Sequence, residues 1–174
     1  MIVVADTSPL NYLVLLGHIE ILAKIYGEVV VPQTVLDELQ DNDAPAEVRA
    51  WFSARPAWLQ VSTLVFRRDP LMDRLDRGKQ DAILLAESFK AERLIIDDLE
   101  GRREAVHRGL TVIGTLGLLA EAARRNLLDL PQALADLQGT NFHVSPELIE
   151  VLLKIDAKRR GSPLIRQYWA HSGE

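Results

Sequence analysis

Met1-Ile-Val-Val-Ala-Asp6-Thr-Ser-Pro-Leu10 is the stretch on which the fold turns. Ile2 to Ala5 is apolar and partly β-branched, and too short for a helix. It reads as a strand buried on both faces. The run stops at Asp6, and Thr7, Ser8 and Pro9 open a helical pattern. In an open α/β sheet, ligands bind outside the carboxyl ends of the strands, where Asp6 falls. Taken alone, Asp6 or Ser8 is more simply a cap for the following helix. The rest of the chain shifts that balance.

Outward from this strand, short apolar runs alternate with amphipathic segments. Leu10 to Leu16 forms a short helix ended by Gly17. Ile19, Leu22, Ala23 and Tyr26 then share one helical face. Val29 to Val31 is a second strand, stopped by Pro32, and Gln33 to Gln40 is a helix that buries Val35, Leu36 and Leu39 and carries Glu38. A polar loop, Asp41 to Ala44, leads to a helix from Pro45 through Trp51 and Phe52. Leu59 to Leu64 makes a third strand, and Arg67 to Arg77 a partly helical connector. A helix from Gly78 turns Ala82, Leu85, Ala86 and Phe89 inward. Leu94 to Ile96 is a fourth strand ending in Asp97-Asp98. Gly101 to Arg108 is helical, and Leu110 to Ile113 is the fifth strand. Leu116 to Arg125, Leu130 to Leu137 and Pro146 to Arg159 are three further amphipathic helices. The stretch after Gly161 is weakly patterned and is expected to pack on a partner or a second copy. Strands alternating with helices of this length imply βαβ units and a parallel sheet. With no internal repeat and no composition break, one domain is expected over residues 1–174.

Composition narrows the chemistry. The 174 residues are 48% hydrophobic and 26% charged, ordinary for a soluble globular domain. The absence of cysteine excludes disulfides, thiolate metal sites and cysteine nucleophiles. No apolar run approaches the ~18 residues of a transmembrane helix, and no basic leader with a cleavage site opens the chain. No membrane association and a cytoplasmic location are the expectations. The net charge of −5 argues mildly against nucleic-acid binding. Basic residues nevertheless cluster at Arg67-Arg68, Arg74 to Lys79, Arg102-Arg103 with Arg108, and Lys158 to Arg160. Each cluster alone is more simply a solvated face.

Acids occur at element ends or on apolar helices in four places: Asp6, Glu38, Asp81 and the pair Asp97-Asp98. Asp81 suits a helix dipole, Asp97 or Asp98 suits a cap, and Glu38 suits a solvated face. Adjacent first and fourth strands would bring Asp6 beside Asp97-Asp98, with the helix of Asp81 starting over the same edge. Like charges about 5 Å apart repel by roughly 3 kcal/mol per pair at an effective dielectric of 20. Against a typical stability of about 5–15 kcal/mol, several such pairs call for a neutralising cation. An all-oxygen donor set favours Mg²⁺ or Mn²⁺ over Zn²⁺. The four histidines are scattered without metal-ligand spacing, Ser8 has no evident histidine partner, and Gly114-Thr-Leu-Gly117 lacks the lysine and spacing of a phosphate loop.

The ordered set Asp6-Thr-Ser8, Val31-Pro32 with Glu38-Leu39, Asp81-Ala-Ile-Leu-Leu-Ala86 and Leu94-Ile-Ile-Asp97-Asp98 resembles the PIN-domain family over roughly residues 1–125. Asp-Thr-Ser-Pro-Leu, Asp-Asp-Leu-Glu-Gly-Arg102 and Val-Ile-Gly-Thr-Leu-Gly117 are similar to a prokaryotic subgroup of it. The resemblance implies a three-layer α/β/α sandwich around a five-stranded parallel sheet, with residues 126–174 a C-terminal helical extension. It also implies a metal-dependent ribonuclease, often the VapC-type toxin of a toxin–antitoxin pair. Asp6, Glu38, Asp81 and Asp98 match the family's acidic quartet, with Asp97 a substitute or fifth ligand for Mg²⁺ or Mn²⁺. Ser8 matches a hydroxyl beside the metal, and Lys79, Arg102 and Arg103 are candidates for holding RNA phosphates, a sequence-independent contact. The implied partners are RNA, an antitoxin protein and a second copy in a homodimer.

Other classes fit less well. A non-catalytic PIN-like module that binds RNA or a protein partner would keep the acidic pocket and cut nothing. A receiver-like phosphoacceptor would need paired acids after the first strand. An aspartyl phosphatase would need a second acid at position 8, which is Ser.

Overall fold

The computed structural model describes residues 1–161. The stretch after Gly161, for which a packing role is expected, lies outside the described residues. By packing, the chain divides into two compact units, Met1–Thr115 and the part from Leu116 onward.

The first unit is built on five parallel strands, β1 (Val3–Ala5), β2 (Val29–Pro32), β3 (Leu59–Ser62), β4 (Arg93–Ile95) and β5 (Val112–Ile113), in the order β3-β2-β1-β4-β5. The expected parallel α/β sheet is therefore present, with β1 at its centre. Val3, Val4 and Ala5 are all inaccessible to solvent, so helices cover both faces of the sheet. β1 pairs with β4 in the register Val4 to Leu94, and the Asp6 N–H continues the ladder to the Ile95 carbonyl at 2.9 Å. The strand order reverses between β1 and β4, which makes their carboxyl ends the switch point of the sheet.

The connections are α1 (Thr7–Leu15), α2 (Ile21–Tyr26), α3 (Gln33–Gln40), α4 (Ala46–Ser53), α5 (Arg77–Ser88) and α6 (Leu99–His107). Boundaries move by a few residues from the sequence reading where caps decide them. Asp76 accepts from the Lys79 N–H at 3.0 Å, so α5 starts at Arg77 rather than Gly78. Asp98 accepts from the Gly101 N–H at 2.8 Å, so α6 starts at Leu99 rather than Gly101. The helix after β1 begins at Thr7, not Leu10, directly on the strand end. The connector before α5 holds a single 3-10 turn, Pro70–Met72. One core layer joins Val4 and Leu94 of the sheet and Ile96 just past β4 to Ala82, Ile83, Leu85 and Ala86 of α5 and Ala105 of α6.

The part from Leu116 onward holds α8 (Leu130–Gln138) and α9 (Pro146–Arg159) after α7 (Thr115–Arg124), which starts on the last residue of the first unit. Asp129 caps α8 and Ser145 caps α9. Arg159 and Arg160 both donate to buried Asp156, and Arg160 also reaches Asp129 at 3.2 Å. No described helix is long and apolar enough to cross a membrane.

Candidate metal centre

Asp6 stands at the position before α1 where a capping side chain is expected, yet its carboxylate accepts no capping hydrogen bond. The residue is 1% exposed, and neither carboxylate oxygen has a hydrogen-bond partner. The simple capping role therefore does not account for it. Burial pushes the Asp6 carboxyl up to about 7, against the pull of the Thr7 backbone N–H and the Lys79 charge. The Thr7 N–H lies near enough to favour the charged form but forms no hydrogen bond with it, so an ionised carboxylate here is poorly satisfied.

A cavity of about 350 Å³ opens on it. Asp6, Glu38, Asp76 and Lys79 supply the charges of its lining, and Thr7, Ser8, Asn11 and Tyr12 its other polar groups. Glu38 reaches the cavity because α3 follows β2 without a loop. Its carboxylate accepts from the Thr7 hydroxyl and from the Gly78 N–H, the latter at 3.2 Å. A Cβ at position 78 would overlap the Glu38 carboxylate, so glycine there lets Glu38 keep this position. Burial raises the Glu38 carboxyl, as does the Asp76 charge, while the Thr7 hydroxyl, Lys79 and the Gly78 N–H lower it.

The other acids of the expected set, Asp81, Asp97 and Asp98, do not line this cavity. Asp81 lies on α5 outside the cavity lining. Its Oδ2 accepts from the Thr34 hydroxyl at 2.9 Å and from Arg77 Nε at 3.1 Å, while its buried Oδ1 accepts no hydrogen bond and is ion-paired with Arg77 at 3.0 Å. The α5 turn sends residue 81 toward α3 and residue 79 toward Asp6, so the helix offers the cavity a lysine. Asp98 is the α6 cap. Asp97 accepts from the Thr115 N–H and hydroxyl, each at 2.7 Å, and from the Ser8 hydroxyl at 3.4 Å. Burial raises its carboxyl, while the Thr115 N–H, the hydroxyls of Thr115 and Ser8, and the Arg102 charge lower it. Among the described residues no group of three His, Cys, Asp or Glu is arranged to hold a metal ion.

The expected phosphate contacts also separate. Lys79 lines the cavity, and Ser8 stands between it and Asp97. Arg102 turns inward and donates to the Ile96 carbonyl at 3.2 Å. Arg103 lines a different cavity, with Arg74 and His107 over Met72 and Leu75. Sequence reasoning passed over Thr7, Asp76, Gly78 and Thr115. The available signal was local for two of them: Asp76 opening a helical run is an N-cap residue type, and a glycine two residues on permits a close approach.

Comparison with known proteins adds three findings. A family model described as a PIN domain, DUF3368, matches residues 2–158. A PilT N-terminus domain protein, SSO1118, from the hyperthermophilic archaeon Sulfolobus solfataricus P2 is a structural neighbour at 16% identity and a TM-score of 0.48, covering 83% of this chain and 100% of its own. No curated protein matches the chain.

Proposed function

The chain belongs to the PIN-domain family, and we propose that it is a metal-dependent endoribonuclease hydrolysing RNA phosphodiester bonds. The observation that carries this reading is the Asp6 carboxylate, buried at the switch point of the sheet with both oxygens unpartnered beside Glu38. An orphaned carboxylate in a polar cavity fits a hard divalent cation, Mg²⁺ or Mn²⁺. Asp6 and Glu38 would hold the ion, with Ser8 and Asp97 next to them. A bound ion there supplies Lewis-acid stabilisation of phosphate charge and a more acidic water.

The chain's own groups prepare the site. The ladder bond from Asp6 to Ile95 fixes the backbone of the first ligand, and Thr7 and Gly78 orient Glu38. Lys79 is the cation placed to meet an RNA phosphate at the cavity. The family match runs through both compact units, which supports one domain over 1–174 with a common core at 1–125. The same family membership supports a toxin role with an antitoxin partner and a homodimer, tested by growth arrest on expression and by light scattering.

Purified protein incubated with RNA and Mg²⁺ or Mn²⁺ is expected to cut it, and Asp6→Asn to lower the rate by about 10³-fold or more, the scale of losing a main charge-stabilising element. Unchanged cleavage by Asp6→Asn would overturn the assignment. The lysine in the cavity favours a second reading, a PIN-like module that binds RNA or a partner without cutting. Tight RNA binding with no cleavage in either metal would select it.

A further inference from the structure

The first turn of α5 holds two cations, Arg77 and Lys79, and no acid. The positive end of a helix dipole disfavours cations there, so something outside the helix backbone must hold each of them. Arg77 is accounted for by Asp81 and by the Phe66 carbonyl, to which it donates at 2.7 Å. Lys79 faces the acidic cavity instead. Its side chain is only 20% exposed, and its ammonium is bonded to Asp76. Asp6 at the end of β1, Glu38 on α3 and Asp98 at the start of α6 supply the surrounding negative charge. Burial opposes the charge on Lys79, but Asp76, Asp6 and Asp98 outweigh it and keep the amine above the usual lysine range.

The Asp6 carboxylate accepts no hydrogen bond, and Lys79 is the cation lining its cavity. Building on the metal-site reading above, we propose that the Lys79 ammonium is the resident counter-ion of the acidic cavity, so that any divalent ion has to compete with it. The carboxylates are the same for both, and a bound dication would sit beside a like charge. The four-carbon stem lets the ammonium withdraw without moving the backbone. The cavity is then filled and stable without metal, and its affinity for the bare ion is set low by one side chain.

Calorimetric titration with Mn²⁺ tests this on the wild-type chain, Lys79→Met and Lys79→Arg. Lys79→Met is expected to bind at least about tenfold more tightly, the scale of removing one like charge about 6 Å from a dication even at water-like screening. Lys79→Arg is expected to match the wild type. Equal or weaker binding by Lys79→Met would overturn the proposal. Melting in chelator at pH 8 gives a second readout. Lys79→Met should melt lower than wild type, and Asp6→Asn should raise the melting temperature more in the Lys79→Met background than in the wild type, a coupling that an additive result would refute. Mn²⁺ binding unaffected by Lys79, with additive melting, removes the counter-ion and leaves the metal site. Coupled melting with no Mn²⁺ binding in any variant supports the counter-ion and removes the metal reading.

Discussion

Two clusters in the first unit each gather three acids around one cation, and they end in opposite states. Arg108 donates to Asp69 and Glu104 at 2.6 Å and to Glu87 at 3.0 Å, using all three guanidinium nitrogens. Arg108 holds the Asp69 carboxyl below the usual range, and its own guanidinium is held charged. At the end of β1, Lys79 lines one cavity with Asp6, Glu38 and Asp76, but it bonds only Asp76, and the Asp6 carboxylate accepts no hydrogen bond. There burial dominates and the carboxyls of Asp6 and Glu38 rise. The Arg108 fork meets three carboxylates at once, whereas the Lys79 ammonium is bonded to Asp76 and leaves the Asp6 carboxylate unmatched. The first cluster is structural, and the second has capacity left for a ligand.

Proton linkage gives the largest effect that could break this contrast. The folded chain keeps a proton on Asp6 up to about pH 7 that the unfolded chain loses near 3.8. The contribution of Asp6 is therefore fully present below about pH 4 and declines as pH rises toward 7. It is flat above that. The span is on the order of 4 kcal/mol. Chemical denaturation in chelator should show Asp6→Asn free of this decline and more stable than wild type at pH 8. A lower stability for Asp6→Asn at pH 8 would make Asp6 a structural residue like those around Arg108.

Next in size is Arg108→Met, expected to cost about 2 kcal/mol by leaving three partly buried acids without their cation, less than the loss from a fully buried pair. Mn²⁺ affinity should not change. An unaltered melting temperature would mean that the Arg108 cluster is only a surface ornament of solvated charges. Smallest is Asp81→Asn, expected to cost about 1 kcal/mol through its weakened bond to Arg77. Its Mn²⁺ affinity should equal that of wild type, and a tenfold loss would place Asp81 with Asp6 after all.

The sheet was legible because Ile2 to Ala5, Val29 to Val31 and Leu94 to Ile96 are apolar runs bounded by Asp, Pro and Gly, and burial of such runs leaves few topologies. Their order was not: from sequence, β1 beside β4 is only a condition, and it is the Val4 to Leu94 pairing that shows it. The importance of Asp6 followed from its place at a strand end. The quartet was harder, because membership depends on helix rotation. On α5 a two-residue step turns a side chain through about 200° at 3.6 residues per turn, which separates Lys79 from Asp81. Sequence shows both residues in one motif and says nothing of which one faces the cavity. Asp97 and Asp98 were ambiguous for a related reason: each is satisfied by a neighbouring N–H, and only coordinates assign Gly101 to one and Thr115 to the other. The Arg108 cluster joins Glu104, an i,i+4 pair of the helix, to acids 21 and 39 residues away, separations with no periodic signature.

The central claim is that a cation belongs at the Asp6–Glu38 cavity, and anomalous diffraction from crystals soaked in saturating Mn²⁺ addresses it directly. The account predicts a peak ligated by Asp6 and Glu38, with the Lys79 ammonium moved away from the ion. An empty cavity under those conditions, or a peak held by Asp81 or Asp98 without Asp6, would contradict it.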